Sequence, residues 1–181
     1  MSVDANLDAF KSMAVRLQTL GSETLKSAMK ECAETALDFV AESFEKGTDP
    51  YGAKWPQSAR ARKQSGQTLV DDGILRNSFT DKISADSFTV TSNVKYAAIH
   101  QFGGEIQQKP RLQTLRFNKK GRFVKKTAKR IARTVTTTIG DRTITMPQRM
   151  MVPTGDSLPQ KWTDAFQSII NKHAILRLKV F

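Results

Sequence analysis

The sequence predicts a chain of the α+β class, and three observations carry that prediction. Residues 22–46 place apolar side chains at helical spacing between a start signal and a glycine stop. Residues 80–84 and 88–92 read as two short strands on either side of Ala85-Asp86-Ser87, the signature of a β-hairpin. A final helical pattern puts Trp162, Phe166, Ile169, Ile170 and His173 on one face.

From the N terminus, Asp4 is placed to cap a first helix on which Leu7, Phe10, Ala14 and Leu17 recur, with Gly21 beyond its end. Ser22 then starts the stronger helix. Leu25, Met29, Cys32, Ala33, Ala36, Phe39, Val40 and Phe44 make one apolar stripe, and Gly47 ends it. This helix is expected to pack on a sheet, with Cys32 a small member of the stripe. Thr48-Asp49-Pro50-Tyr51-Gly52 is turn chemistry. Pro56 holds Trp55 out of the α region, so the indole is expected to pin this loop to the core.

Residues 57–68 are polar and weakly periodic. Leu69-Val70-Asp71-Asp72-Gly73-Ile74-Leu75-Arg76-Asn77-Ser78-Phe79 reads as a helix entry, capped by Asp71 or Asp72 with Leu75 and Phe79 inward. After the hairpin, Tyr96-Ala97-Ala98-Ile99-His100-Gln101-Phe102-Gly103-Gly104 predicts a short helical turn stopped by its two glycines. Its Tyr96, Ile99 and His100 share a face, and His100 is expected to hydrogen-bond its neighbours in a packed turn. Residues 105–107 begin another strand.

Asn118-Lys119-Lys120-Gly121-Arg122 predicts a turn, and the β-branched residues on both sides of Gly140-Asp141 predict a hairpin pairing 135–139 with 142–145. Residues 146–153 are extended by their prolines. Asp156 or Ser157 caps the final helix, with Pro159 in its first turn. The last residues, Ile175-Leu176-Arg177-Leu178-Lys179-Val180-Phe181, alternate as a half-buried strand would, open to pairing with a neighbouring subunit.

The chain's 181 residues fit one domain, 1–181, carrying a basic arm over 107–146. No run reaches the ~18 apolar residues of a membrane span. The N terminus lacks the layout of a signal peptide. A single cysteine excludes an intrachain disulfide and a cysteine zinc cluster, and the expectation is a soluble protein of a reducing cytoplasm. The net charge of +12 is unevenly placed. Residues 1–50 hold nine acids against five bases, whereas 106–140 hold no acid. The bases there are Lys109, Arg111, Arg116, Lys119, Lys120, Arg122, Lys125, Lys126, Lys129, Arg130 and Arg133. Such a segment suits nucleic-acid phosphates or an acidic protein face. Only Phe117 and Phe123 interleave it, which gives base stacking little support.

No phosphate loop, nucleophile elbow or zinc helix is present. Neither histidine sits in a ligand pattern, and the spacing of Asp71, Asp72, Asp81, Asp86 and Glu105 matches no metal motif. No enzyme activity, metal or cofactor is expected.

Four blocks in order complete the reading: Asp49-Pro50-Tyr51-Gly52-x-x-Trp55, Leu69-Val70-Asp71-Asp72-Gly73-x-Leu75-x-x-Ser78, Tyr96-Ala97-x-Ile99-His100-Gln101-Phe102-Gly103-Gly104, and Pro147-x-Arg149. Together, over about residues 25–175, the chain resembles the phage virion morphogenesis proteins, the tail-completion family of Mu-like and related contractile-tailed phages. The resemblance implies a small antiparallel sheet packed by a long N-terminal helix and a C-terminal helix, with the basic hairpin arm projecting. It implies a non-enzymatic virion protein of the neck, assembled in the bacterial cytoplasm as a homo-oligomeric and usually hexameric ring. It also implies a ring that completes the tail and joins it to the head, in contact with tail tube, possible sheath and head-completion or connector proteins, and with no membrane. On this reading Trp55, Gly73, Leu75, Tyr96, His100, Gln101, Phe102, Gly103, Gly104 and Arg149 build structural motifs and a subunit interface, and the arm meets channel DNA or an adjacent ring. A head-side stopper or connector, and a stand-alone basic DNA-binding protein, are the alternatives.

Overall fold

The computed structural model describes residues 21–125, 127, 131–154 and 157–178. The helix expected from Asp4 therefore lies outside the described residues, as do Asp156 and residues 179–181. The chain divides into two units, Met1–Gly103 with Pro147–Phe181, and Gly104–Met146.

The first unit is organised by helix α1, Ser22–Lys46. Its buried residues Leu25, Met29, Cys32, Ala33, Ala36, Val40 and Phe44 form the stripe the sequence predicts, and Phe39 packs at its margin. Gly47 ends the helix in the left-handed conformation, φ 63, a state that costs other residues strain even where there is room for a side chain. The following turn is held by Asp49, whose Oδ1 accepts from the backbone N–H groups of Tyr51 (2.9 Å) and Ala53 (2.8 Å). Trp55 then returns to the helix end and meets the edge of Phe44 at 5.3 Å between ring centroids.

A short helix α2, Ala59–Gln64, follows where the sequence shows weak periodicity, with the Ser58 hydroxyl accepting from Ala61 N–H as its cap. The helix entry expected at 69–79 is instead a turn with one 3-10 segment, Arg76–Ser78. Leu69 is in the left-handed region at φ 63, which a continuing helix excludes. Leu75 is buried as expected.

Strands β1, Phe79–Ile83, and β2, Phe88–Ser92, form the antiparallel hairpin the sequence predicts, Phe79 facing Ser92 and Ile83 facing Phe88. The turn helix α3 is Ala97–Phe102, stopped by Gly103 at φ 69. The last helix, α4, is Gln160–Leu178. It carries Trp162, Phe166, Ile169 and Ile170 into the core, where Phe166 meets Phe88 edge-on at 5.6 Å and Trp162 meets Phe39 at 5.3 Å. α1 thus packs on α4 and on the β1–β2 hairpin. The strand expected at the C terminus is a correction: 175–178 continue the helix, because an established helix extends at the cost of one residue while a new strand needs a partner. Ile175 and Leu176 are both exposed, so their alternation does not reflect burial.

The second unit is a two-stranded ribbon. β3, Gly104–Gln108, pairs with β6, Arg142–Met146, and β4, Arg111–Phe117, pairs with β5, Arg133–Ile139. The two ladders share one register: Gln108 faces Arg142 and Arg111 faces Ile139, so Lys109-Pro110 and Gly140-Asp141 are skipped opposite each other. The hairpin expected around Gly140-Asp141 is therefore corrected: those residues interrupt a long ladder opposite Pro110, which lacks an N–H to donate. The long pairing sets Ile106 against Ile144 and Leu115 against Val135, apolar cross-strand pairs that the local hairpin would forgo. The turn expected at 118–122 forms, with Asn118 Oδ1 accepting from Lys120 N–H (2.9 Å) and Arg122 N–H (3.0 Å). Among the described residues the strands make three two-stranded sheets rather than one covered sheet.

Candidate functional site

Several of the singled-out residues converge on one backbone segment, 149–152. Trp55 Nε1 donates to Met150 O at 2.9 Å. His100 O accepts from Arg149 N–H at 2.7 Å, and Arg149 Nε donates to Pro56 O at 2.7 Å. Gln101 is buried; its Oε1 accepts from the N–H groups of Met151 (2.8 Å) and Val152 (3.2 Å), while its Nε2 donates to Val152 O at 2.7 Å. A segment without regular structure has its polar backbone satisfied in this way by side chains, as burial requires. The local cause is α3: Ala97 is small enough to lie on the core, and Gln101, four residues on, shares its helix face and is buried with it.

The other motif residues have separate places. Gly73 has φ 74, and Asn77 N–H donates to its carbonyl at 3.0 Å, so it shapes the turn that delivers Leu75 to the core. Ser78 Oγ donates to Leu75 O at 2.7 Å and lies 2.7 Å from Ser92 Oγ, which ties this turn to the hairpin. Tyr96 and Phe102 are exposed large apolar side chains on the surface of the first unit. Gly104, with φ 134, opens β3.

His100 departs from expectation. Its ring meets the Tyr96 ring edge-on at 6.1 Å, yet its buried Nδ1 has no hydrogen-bond partner among the described residues. Burial first, and then the charge of Arg149, hold its pKa below the usual histidine value, so the ring is neutral near pH 7. Arg149 is only 4% exposed, and burial lowers its pKa as well. Among the described residues, no carboxylate lies within ion-pairing distance of it.

Asp71 and Asp72 do not cap a helix. Asp71 Oδ1 pairs with Arg60 Nη1 at 3.3 Å, and Arg60 Nη2 also donates to the carbonyls of Gln67 (2.7 Å) and Val70 (2.6 Å). The loop 58–70 thus wraps around Arg60, which the sequence reading missed. Its only sequence signal is a serine cap ahead of good helix formers, Ala59-Arg60-Ala61-Arg62-Lys63-Gln64. The carboxylates that bridge α1 to α4 were also missed. Glu31 accepts from Lys172 Nζ (2.8 Å) and lies 2.8 Å from His173 Nε2, and Glu42 pairs with both Lys161 and Lys46. Lys172, then His173, hold the Glu31 carboxyl below its usual pKa; Lys161, then Lys46, do the same for Glu42. Among the described residues, no cluster of three His, Cys, Asp or Glu could hold a metal, and no helix is long and apolar enough to cross a membrane.

The ribbon contains twelve of the chain's bases and two acids, a net +10 of the +12. Lys109, Arg111, Lys119, Lys120, Arg122, Lys125 and Arg133 are exposed, and Arg116 is half-buried. Lys126, Lys129 and Arg130 lie outside the described residues. None of the described bases forms an ion pair. None of the described residues in Gly104–Met146 is buried, and Leu112 and Phe123 are 75% and 71% exposed.

Comparison with known proteins gives a consistent result. Residues 5–170 match the model of the phage virion morphogenesis family. The chain is 30% identical over 105 residues to Mu-like prophage FluMu G protein 2 of Haemophilus influenzae, a match covering 57% of this chain and 72% of that protein. It is 31% identical over 122 residues to the putative capsid assembly protein G of Escherichia phage Mu, covering 61% of this chain and 78% of that protein. No solved structure matches the chain.

Proposed function

The chain belongs to the phage virion morphogenesis family, and from that premise we propose that it is a non-enzymatic structural protein of the phage neck. In this reading, copies form a closed ring, hexameric in the favoured form, that completes the end of the tail and joins it to the head. The ring sits on tail tube protein, with the sheath and the head-completion or connector proteins as its further neighbours. The observation that carries the reading is the Gly104–Met146 ribbon, which holds nearly all the net charge and has no buried residue among those described. An isolated two-stranded ribbon is marginal in water, so it is suited to completion by an assembly partner. The non-enzymatic part is supported by the use of Trp55, Gln101 and Arg149, which address backbone groups of their own chain.

The test replaces residues 109–141 by Asn-Gly, a favoured two-residue hairpin turn that closes Gln108 on Arg142 in the existing register. Phage complemented with this variant should give separate heads and tails by electron microscopy, while the protein itself remains folded. Normal yields of joined particles would remove the arm from the assembly role. The mass of the purified protein, alone and with tail tube protein, reports whether a ring forms.

The charge of the arm favours a second reading, a head-side stopper or connector ring whose arm lines the DNA channel. That reading requires duplex binding by the ring that weakens steeply with salt and is lost with the arm. Binding by a monomer that forms no ring would favour a stand-alone DNA-binding protein.

A further inference from the structure

The two faces of the distal ribbon differ in a way that its charge does not explain. Successive residues of a strand point to opposite sides, so the β4–β5 register sorts the rungs into two sets. One face carries Leu112 opposite Thr138, Thr114 opposite Thr136 and Arg116 opposite Thr134. The other sets Leu115 opposite Val135, with Ile139 opposite Arg111 towards one end and Phe117 opposite Arg133 at the other. Phe123, bridged to Phe117, adds its ring to this second face at 4.8 Å between centroids. Leu115, Phe117, Val135 and Ile139 are only half-buried, and Phe123 is 71% exposed. A threonine-rich side is at ease in water; an aliphatic and aromatic side is not, because its apolar area stays hydrated.

We propose that this apolar face docks on an acidic protein other than this chain, at an apolar strip flanked by carboxylates; the proposal deepens the virion-assembly reading above and rests on it. The face has the make-up of an interface, an aliphatic and aromatic centre with arginine at each end. Arg111 and Arg133 present guanidinium forks that match carboxylates. The exposed Lys119, Lys120, Arg122 and Lys125 of the turn region add attraction at longer range. Nucleic acid fits this face less well: phosphates would satisfy the bases but leave Leu115, Val135 and Ile139 in water, and base stacking uses aromatic rings alone.

Charge separates the occupant from a second copy. No acid occurs anywhere in 106–140, and among the described residues none of the ribbon's bases forms an ion pair. The ribbon holds +10 of the chain's +12, which leaves 17 bases against 15 acids elsewhere. Even the first fifty residues, nine acids against five bases, fall well short of the ribbon's excess. A second copy therefore brings like charge overall, whereas the ribbon calls for a partner of net negative charge.

The experiment uses the full-length protein with heads and with tails purified from phage that lack it, and with a random-sequence DNA duplex. The wild type should bind one of the two particles and keep binding it in the presence of excess duplex. Leu115→Thr with Val135→Thr gives this face the chemistry of the opposite one while supplying strand-favouring residues. It should weaken particle binding about tenfold or more, whereas Leu112→Thr on the other face should change it by less than about twofold. Arg111→Glu with Arg133→Glu keeps the apolar centre and reverses its ends; it should lose binding as well, independently of any effect of the first pair on the ribbon. Binding that survives both double variants overturns the proposal and leaves the assembly reading intact. Displacement by the duplex assigns the arm to nucleic acid, and self-association lost in the Leu115, Val135 variant assigns the face to a second copy; either result also overturns it. A wild type that binds neither particle removes the assembly reading itself, and this partner with it.

Discussion

Gln101 engages three backbone atoms of residues 151 and 152, fifty residues further along the chain, with one side chain. Gln101→Leu fills a similar volume but strands those groups in and beside the core. It should cost about 2–4 kcal/mol, since several buried polar groups lose their partners at once, and urea unfolding at neutral pH measures it. Cys32 shows the opposite character: burial pushes its thiol up to about 12, which makes it a packing residue inert to alkylation in the folded state. Much of this was legible in the sequence by type but not by partner. Tyr96, His100, Gln101 and Arg149 stand out in their motifs, yet the acceptors of Trp55 and Arg149 are the carbonyls of Met150 and Pro56. A carbonyl carries no sequence signature, so which one is used emerges only from the fold.

Between elements, the α1–α4 contact combines an aromatic core with carboxylate bridges at Glu31 and Glu42. Both carboxyls have folded-state pKa values below their ordinary value, so their contribution is present above about pH 4.3, the unfolded value, and is lost as pH falls through the lower folded values. A Glu31→Gln, Glu42→Gln double variant should therefore be less stable than the wild type at pH 7 and lose less on acidification to about pH 3. Urea midpoints at the two pH values check this. The strong periodicity of α1 and the β1–β2 hairpin were readable because each is fixed by nearby residues. The 69–79 turn was not, since Leu69 at φ 63 depends on the Arg60 contacts to the carbonyls of Gln67 and Val70. The residues at 175–178 misled because a short apolar-basic alternation fits a strand and is also tolerated in a helix, where Ile175 and Leu176 are both exposed.

For the molecule as a whole, the division into a cored unit and an uncored ribbon predicts unequal resistance to cleavage. Brief trypsin treatment should cut first in the exposed 119–125 turn region, rich in lysine and arginine, and leave the first unit as two associated fragments. Mass spectrometry of the products checks this, and early cleavage within α1 or α4 would contradict it. The charge of the ribbon was fully legible from composition. Its pairing was not, because Gly140-Asp141 satisfies a local turn rule while the partners that outcompete it, 104–117, lie about thirty residues upstream.

The single register running from Gly104 opposite Met146 to Phe117 opposite Arg133 makes the insertion a telescope. Its two ends are neighbours, so rungs can be added or removed without moving the ends apart. One rung changes the span by about 3.4 Å and turns every outlying side chain over; two rungs change it by about 6.8 Å and keep each face as it was. Evolution can thus tune the length of the ribbon in steps of residue pairs.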